Sequence, residues 1–320
     1  MRAEAKRVWV ASVLGRAAEI RPLAGDASFR SYDRVHLVDK AWVLMDAPPG
    51  KEDVRPFLRV REWLEACGMR IPHLFATDEQ QGFLLLEDFG DVSWAAQVKA
   101  GGQVDDLFAD ALRQLHALQG SEPGFALPCF DVERMRRECD LYLDWYLPRV
   151  VGHNPAEDER AAFHDALTPM LEEIAGLPRV PVHLDYHSRN LMLPNGGLPL
   201  GVIDFQDAVI GPVTYDLASL LYDCYQDYPE AERRRWSMTF FEQLRPELAG
   251  CFDDFEDWHR QLRLTALQRH IKAIGIFARL AYRDGKHQFL DEIPLTRKHL
   301  REELQVLELE VHPLMLEEPA

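Results

Sequence analysis

The chain has 320 residues, 47% of them hydrophobic, and sets 36 lysines and arginines against 53 aspartates and glutamates, a formal charge of −17. That length supports a substantial core and two lobes. So acidic a surface repels nucleic-acid phosphates and anionic lipid, so neither nucleic acid nor membrane is an expected partner.

The first twenty residues, "MRAEAKRVWVASVLGRAAEI", hold an apolar run too short and too interrupted by charge for a secretory leader, and predict an amphipathic helix. "IRPLAG", "SFRSYDRVHLV" and "AWVLMDAP" read as three consecutive antiparallel strands bounded by Gly25-Asp26 and Asp39-Lys40. In "EDVRPFLRVREWLEACG" the apolar Phe57, Leu58, Val60, Trp63 and Leu64 recur at helical spacing, between Asp53 as start and Gly68 as stop. "IPHLFATD" and "GFLLLEDFG" then complete a sheet of about five strands packed on one helix. From Val92 onward the pattern turns helical: "VDDLFADALRQLHALQ", "DVERMRRECDLYLDWYLPRV", "EDERAAFHDALTPMLEEIAG", "FEDWHRQLRLTALQRHIKAIGIFARLAYRDG" and "LTRKHLREELQVLEL" all carry apolar stripes. The expected class is α+β. A small antiparallel-sheet N-lobe spans residues 1–88, a mostly helical C-lobe spans 89–320, and a ligand cleft lies between them. Five scattered cysteines without a C-x-x-C pair fit a reducing cytosol, so a cytoplasmic location is expected. No apolar run approaches the roughly 18 residues of a membrane span.

One stretch interrupts the helical half. In "VPVHLDYHSRNLMLPNGGLPLGVIDFQDAVIGP" three oxygen-bearing side chains, Asp185, Asn190 and Asp204, stand among short strand-like runs around an Asn195-Gly196 turn. Asp185 precedes Asn190 by five positions, the aspartate-to-asparagine spacing of a kinase catalytic loop. In that arrangement the first aspartate takes the proton of a hydroxyl nucleophile. The asparagine and a second aspartate, here Asp204, hold Mg2+ against the triphosphate of ATP, and magnesium suits such a set because it prefers hard oxygens and accepts the rest from phosphate and water. The hairpin turn brings Asn190 and Asp204 together. Asp216, opening the apolar "YDLASLL", either caps that helix or braces the loop backbone. Other phosphotransferase designs lack support: "PPGKED" is no P-loop, no dinucleotide fingerprint follows a strand, and His183 and His187 flank Asp185 on a loop rather than on a zinc-binding helix.

"HLDYHSRN" followed by "IDFQDAVIGPVTYDLASLL" resembles the aminoglycoside phosphotransferase/choline kinase branch of the protein-kinase-like superfamily. Within that branch "MDAPP", "DYHSRNLM", "DFQDAV", "LQRHIKAIGIFARL" and "RDGK" resemble the bacterial N-acetylmuramate/N-acetylglucosamine anomeric kinases, over roughly residues 20–300. The resemblance implies a bilobal kinase-like fold and ATP-dependent phosphorylation of an amino sugar in cell-wall recycling. It makes "GDASFRSYDRV" the phosphate-covering loop, with Gly25, Ser28 and Arg30 at the nucleotide, and "GFLLLEDFG" the hinge, with Glu87, Asp88 and Phe89 beside adenine. It also makes Asp185 the catalytic base, Asn190 and Asp204 the metal ligands, and His183 and Asp216 the support of the loop. Asp207, Tyr222, Asp223, Arg269 and His270 are the sugar-binding candidates. A monomer is expected.

The chain departs from the kinase pattern at one pair. Met45 stands near the usual third-strand lysine and Phe57 or Arg59 near its glutamate partner, which leaves Arg30 and Lys51 as the nearest cations for the phosphates. That loss suggests a silent binding module as a rival reading, against which the intact Asp185, Asn190 and Asp204 stand. An aminoglycoside or choline kinase is the other alternative.

Overall fold

The structure is a computed structural model that describes residues 2–23, 29–309 and 312–318. Its first part is a five-stranded antiparallel sheet in the order β1-β2-β3-β5-β4, built from β1 (Glu19–Pro22), β2 (Ser31–Leu37), β3 (Lys40–Asp46), β4 (Leu74–Asp78) and β5 (Phe83–Glu87). Alternation along the strands gives the sheet two apolar faces. Val35, Leu44, Phe83 and Leu85 pack on Trp9 and Val10 of the first helix, α1 (Arg2–Leu14). Met45, Leu84 and Leu86 turn the other way, into the core that holds Phe57, Val60, Trp63 and Leu64 of α2 (Val54–Ala66). The sheet is thus covered by helices on both faces rather than by one. The sequence reading missed this because α1 contributes only Trp9 and Val10 as buried residues, too few for a stripe. Asp53 starts α2 as expected, its carboxylate accepting from the Arg55 N–H.

The remainder is mostly helical. It comprises α3 (Trp94–Lys99), α4 (Asp105–Gln119), α5 (Val132–Leu141), α6 (Glu157–Ala175), α7 (Tyr215–Leu221), α8 (Glu230–Phe241), α9 (Pro246–Ala249), α10 (Phe255–Asp284) and α11 (Ile293–Val306). The buried α10 is the axis of this half, and eighteen of its thirty residues are buried. In its C-terminal half, Gly275 lies so close to the Leu141–Tyr142 backbone that a Cβ would stand 2.3 Å from the Leu141 carbonyl carbon. From Tyr142 the helix predicted as a continuation of α5 changes to a π-turned stretch, Tyr142–Val151, carrying Pro148. Two small antiparallel pairs sit on top: β6 (Arg179–Val182) with β9 (Val209–Pro212), and β7 (Leu191–Met192) with β8 (Gly201–Val202). The turn at Asn195-Gly196 joins the second pair. No helix among the described residues is long and apolar enough to cross a membrane.

Candidate active site

Asp185, Asn190 and Asp204 are brought together by the two small strand pairs. Asp185 follows β6; Asn190 immediately precedes β7; Asp204 follows β8. The Asn190 side-chain amide donates to the Asp185 carbonyl at 3.0 Å, and the Ile203 N–H donates to the Asn190 carbonyl at 3.1 Å. With its Nδ2 so engaged, Asn190 turns Oδ1 outward as an acceptor. Asp204 is exposed with a left-handed φ of 63°, and its Oδ1 accepts from Gln206, whose amide also reaches Asp207 at 3.1 Å.

The loop carries strain at one place. Leu184, beside Asp185, has φ 79°, costly for a branched side chain. Two bonds hold its backbone, the Leu184 N–H donating to Asp216 at 3.0 Å and Arg269 donating to the Leu184 carbonyl at 2.9 Å, and the neighbouring His183 N–H donates to the same Asp216 carboxylate at 2.7 Å. Burial pushes the Asp216 carboxyl up to about 7, against the pull of those two donors and of Arg269. His183 is buried and pushed down to about 4, hence neutral. That suits its bonds, since Nδ1 accepts from the Asp185 N–H at 3.3 Å and Nε2 donates to the Ile203 carbonyl at 3.1 Å. Farther along, Asp223 accepts from the N–H groups of Ser188 and Tyr225, both at 2.9 Å.

Burial alone would raise the Asp185 carboxyl, but Lys272, His187, Arg269 and His183 outweigh it and hold it below the usual carboxylate range. Lys272 is itself fixed, 3.3 Å from both Glu138 and the Tyr215 hydroxyl.

A cavity of about 310 Å³ lies between the sheet and this loop. Tyr32, Arg34, Val43 and Leu86 line its sheet side, Asp88, Phe89 and Gly90 its edge, and Asn190, Ile203 and Asp204 its floor. At the edge Arg34 grips Asp88 at 2.6 Å and Asp91 at 2.8 Å, tying β2 to the segment after β5. The Glu87 side chain is turned to Arg70 at 2.7 Å, and the Phe89 ring lies under the Arg70 guanidinium and against Gly201, where a Cβ would come within 2.3 Å of it. The back wall is Phe57, whose ring meets Phe205 at 4.9 Å, and both belong with Met45 to one continuous apolar core. Met45 and Phe57, the residues named for the lysine and glutamate positions, are thus both part of the apolar core. Of the two cations named for the phosphates, Lys51 lies 5.1 Å over the Phe29 ring, and Arg30 is half-buried. Gly25 and Ser28 lie outside the described residues.

The sugar-binding candidates divide. Asp207 is exposed beside Asp204. Arg269 and Asp223 are spent on backbone groups, Arg269 on the Leu184 carbonyl and Asp223 on the N–H groups of Ser188 and Tyr225. Tyr222 and His270 are buried behind it, His270 Nε2 donating to the Tyr222 carbonyl at 2.9 Å, with the Tyr222 ring between Arg233 and Arg263. None of these five lines the cavity. Sequence reasoning missed Arg34 and Lys272; the second could have been found three positions after Arg269 on the same helix.

Among the described residues no three His, Cys, Asp or Glu side chains converge on a metal position. The outward Asn190 oxygen and the exposed Asp204 carboxylate nevertheless suit an ion that takes hard oxygens and draws its other ligands from phosphate and water.

Solved structures share this architecture. Choline kinase LicA from Streptococcus pneumoniae superposes with a TM-score of 0.64 at 13% identity, covering 94% of this chain and 99% of that one. The ADP-bound aminoglycoside phosphotransferase APH(2'')-Ib gives 0.60 at 16%, covering 93% and 98%. At such identities the likeness is one of fold, the bilobal kinase-like plan. Relatives by sequence are closer. An N-acetylmuramate/N-acetylglucosamine kinase of Pseudomonas aeruginosa is 40% identical over 285 residues, 88% of this chain and 83% of its own, and one of Pseudomonas putida is 37% identical over 280 residues, 87% and 81%. The model of the phosphotransferase enzyme family matches residues 19–275. Over most of its length, the stretch with Asp185, Asn190 and Asp204 included, the chain belongs to the phosphotransferase enzyme family.

Proposed function

We propose that the protein transfers the γ-phosphoryl group of ATP to the anomeric hydroxyl of N-acetylmuramate or N-acetylglucosamine, in the cytoplasm, as a step of cell-wall sugar recycling. The observation that carries this reading is that Asn190 and Asp204 form the floor of a cavity while the Asn190 side chain is tied to the Asp185 backbone, in a chain whose relatives bear the names of kinases for those sugars. The division is into a nucleotide-binding lobe up to residue 88 and a helical lobe beyond it, with adenine between Val43, Leu86 and the segment from Glu87 to Phe89.

Asp185 accepts the proton of the acceptor hydroxyl. Its carboxyl is held ionised by the surrounding cations, so the base is ready at neutral pH. An anomeric hydroxyl is more acidic than an ordinary alcohol, which suits a carboxylate base. In a loose transition state, positioning and charge neutralisation dominate. Asn190 Oδ1 and Asp204 would hold Mg2+, which neutralises phosphate charge when bound. Asp216 and Arg269 fix the strained Leu184 peptide and through it the aim of Asp185.

A cationic acceptor such as choline or an aminoglycoside fits less well, because Arg269, Lys272 and Arg189 surround the acceptor side of the loop. Phosphorus NMR of the product tests the reading. A sugar 1-phosphate is expected, whereas a 6-phosphate would overturn the acceptor atom and phosphocholine the substrate class.

A further inference from the structure

Around the catalytic loop nearly every cation is already committed. Arg269 donates to the Leu184 carbonyl, Lys272 stands between Glu138 and Tyr215, and Arg189 pairs with Glu292 while lying 3.8 Å over the Tyr225 ring. Arg279 differs. It is half-buried, its Nε is buried without a hydrogen-bond partner, and among the described residues no carboxylate stands within ion-pair distance of it. The nearest acid, Asp284, is held by Arg283 at 2.8 Å. Burial and the Arg283 charge together lower its proton affinity. A buried N–H left without an acceptor is costly, and more unexpected in a chain with 53 acids to 36 bases.

Its position gives that cost a use. Arg269, Lys272, Ile276 and Arg279 follow one another at the spacing of a single helix face. The first two address the Leu184–Asp185 peptide and the Asp185 carboxyl. Arg279 lies about 10 Å farther along the axis than Lys272 and, like other helical side chains, leans back toward the helix N-terminus, hence toward the loop. A sugar whose reacting hydroxyl sits at Asp185 would extend along this face. N-acetylmuramate and N-acetylglucosamine differ there in one respect. The former carries a lactyl carboxylate on the C3 oxygen, two ring positions from the anomeric carbon, and the latter a hydroxyl there.

We propose that Arg279 binds the carboxylate of the acceptor and is the residue by which this enzyme distinguishes N-acetylmuramate from N-acetylglucosamine. The proposal rests on the amino-sugar reading above. A planar guanidinium fits a carboxylate through two parallel N–H donors, which Lys272, fixed by its own partners, cannot supply.

The test compares both sugars, with Mg-ATP, on the wild-type protein and on Arg279→Gln and Arg279→Lys. Arg279→Gln should raise KM for N-acetylmuramate about 10- to 100-fold, the effect of losing a charge-assisted hydrogen bond. KM for N-acetylglucosamine should change little, and Arg279→Lys should restore part of the loss. On the wild-type protein, converting the lactyl carboxylate to its carboxamide should cost a similar factor, a measurement independent of how the variants fold. Equal losses on both sugars, or a carboxamide that serves as well as the acid, would overturn the role of Arg279 while leaving the kinase reading intact. Phosphorylation of neither sugar by the wild-type protein would overturn the substrate reading and this inference with it.

Discussion

Asp185 owes its aim to a peptide that would not hold its shape alone. Leu184 sits in a left-handed conformation and is kept there by Asp216 and Arg269. Removing the carboxylate itself should therefore leave the loop intact and strike the chemistry: Asp185→Asn is expected to lower kcat by about 10²- to 10⁴-fold with an unchanged circular dichroism spectrum. Asp204→Ala should cost at least as much and weaken the dependence of rate on magnesium concentration. Asp185, Asn190 and Asp204 were legible because their spacing lies within twenty consecutive residues of chain. The partners that tune them were not. Arg34 meets Asp88 from 54 positions away, and Lys272 is set by Glu138 on a different helix, pairings that no local pattern encodes. Polar residues on α10 drew attention as ligand-binding candidates, yet the fold uses Arg269 and His270 on its own backbone.

At the scale of elements, periodicity located the strands of the sheet and the long helices, because each buries one face or one stripe. It failed where one element is shaped by another. The sequence predicts an unbroken helix through Tyr142, whereas the π-turned stretch begins at the point where Gly275 of α10 touches the Leu141–Tyr142 backbone. Only a residue without a side chain permits that approach. Gly275→Ala is accordingly expected to destabilise the protein by about 1–3 kcal/mol, the range for overpacking a tight interior, read as a fall in thermal midpoint. The same substitution at the exposed, left-handed Gly285, where a Cβ meets nothing, serves as the contrast: any loss there comes from backbone strain alone. The first helix escaped a full reading for the opposite reason, since just two of its residues are buried.

Over the whole molecule, the C-terminal segment is fastened back onto the helical half. Tyr142 donates its hydroxyl to the Leu314 carbonyl at 3.0 Å, and His153 bridges Glu317 at 2.6 Å and Glu159 at 3.1 Å. Those carboxylates raise His153 above the ordinary histidine value of 6.5. A group whose folded value is raised adds stability that is complete below its unfolded pKa and fades as pH climbs through the folded one. As pH climbs from about 6.5, the wild-type thermal midpoint should thus decline more steeply than that of His153→Gln, and the two should converge once the imidazole is neutral.

The contact between Phe57 and Phe205, with Met45 in the same core, has a consequence for control. Where a salt link joins the third strand to the following helix in other kinases, a rival charge can pull it apart, and the catalyst can be turned off without being unfolded. Two rings tilted against each other and a thioether present no charge for such a rival to capture, so parting them means opening the core itself.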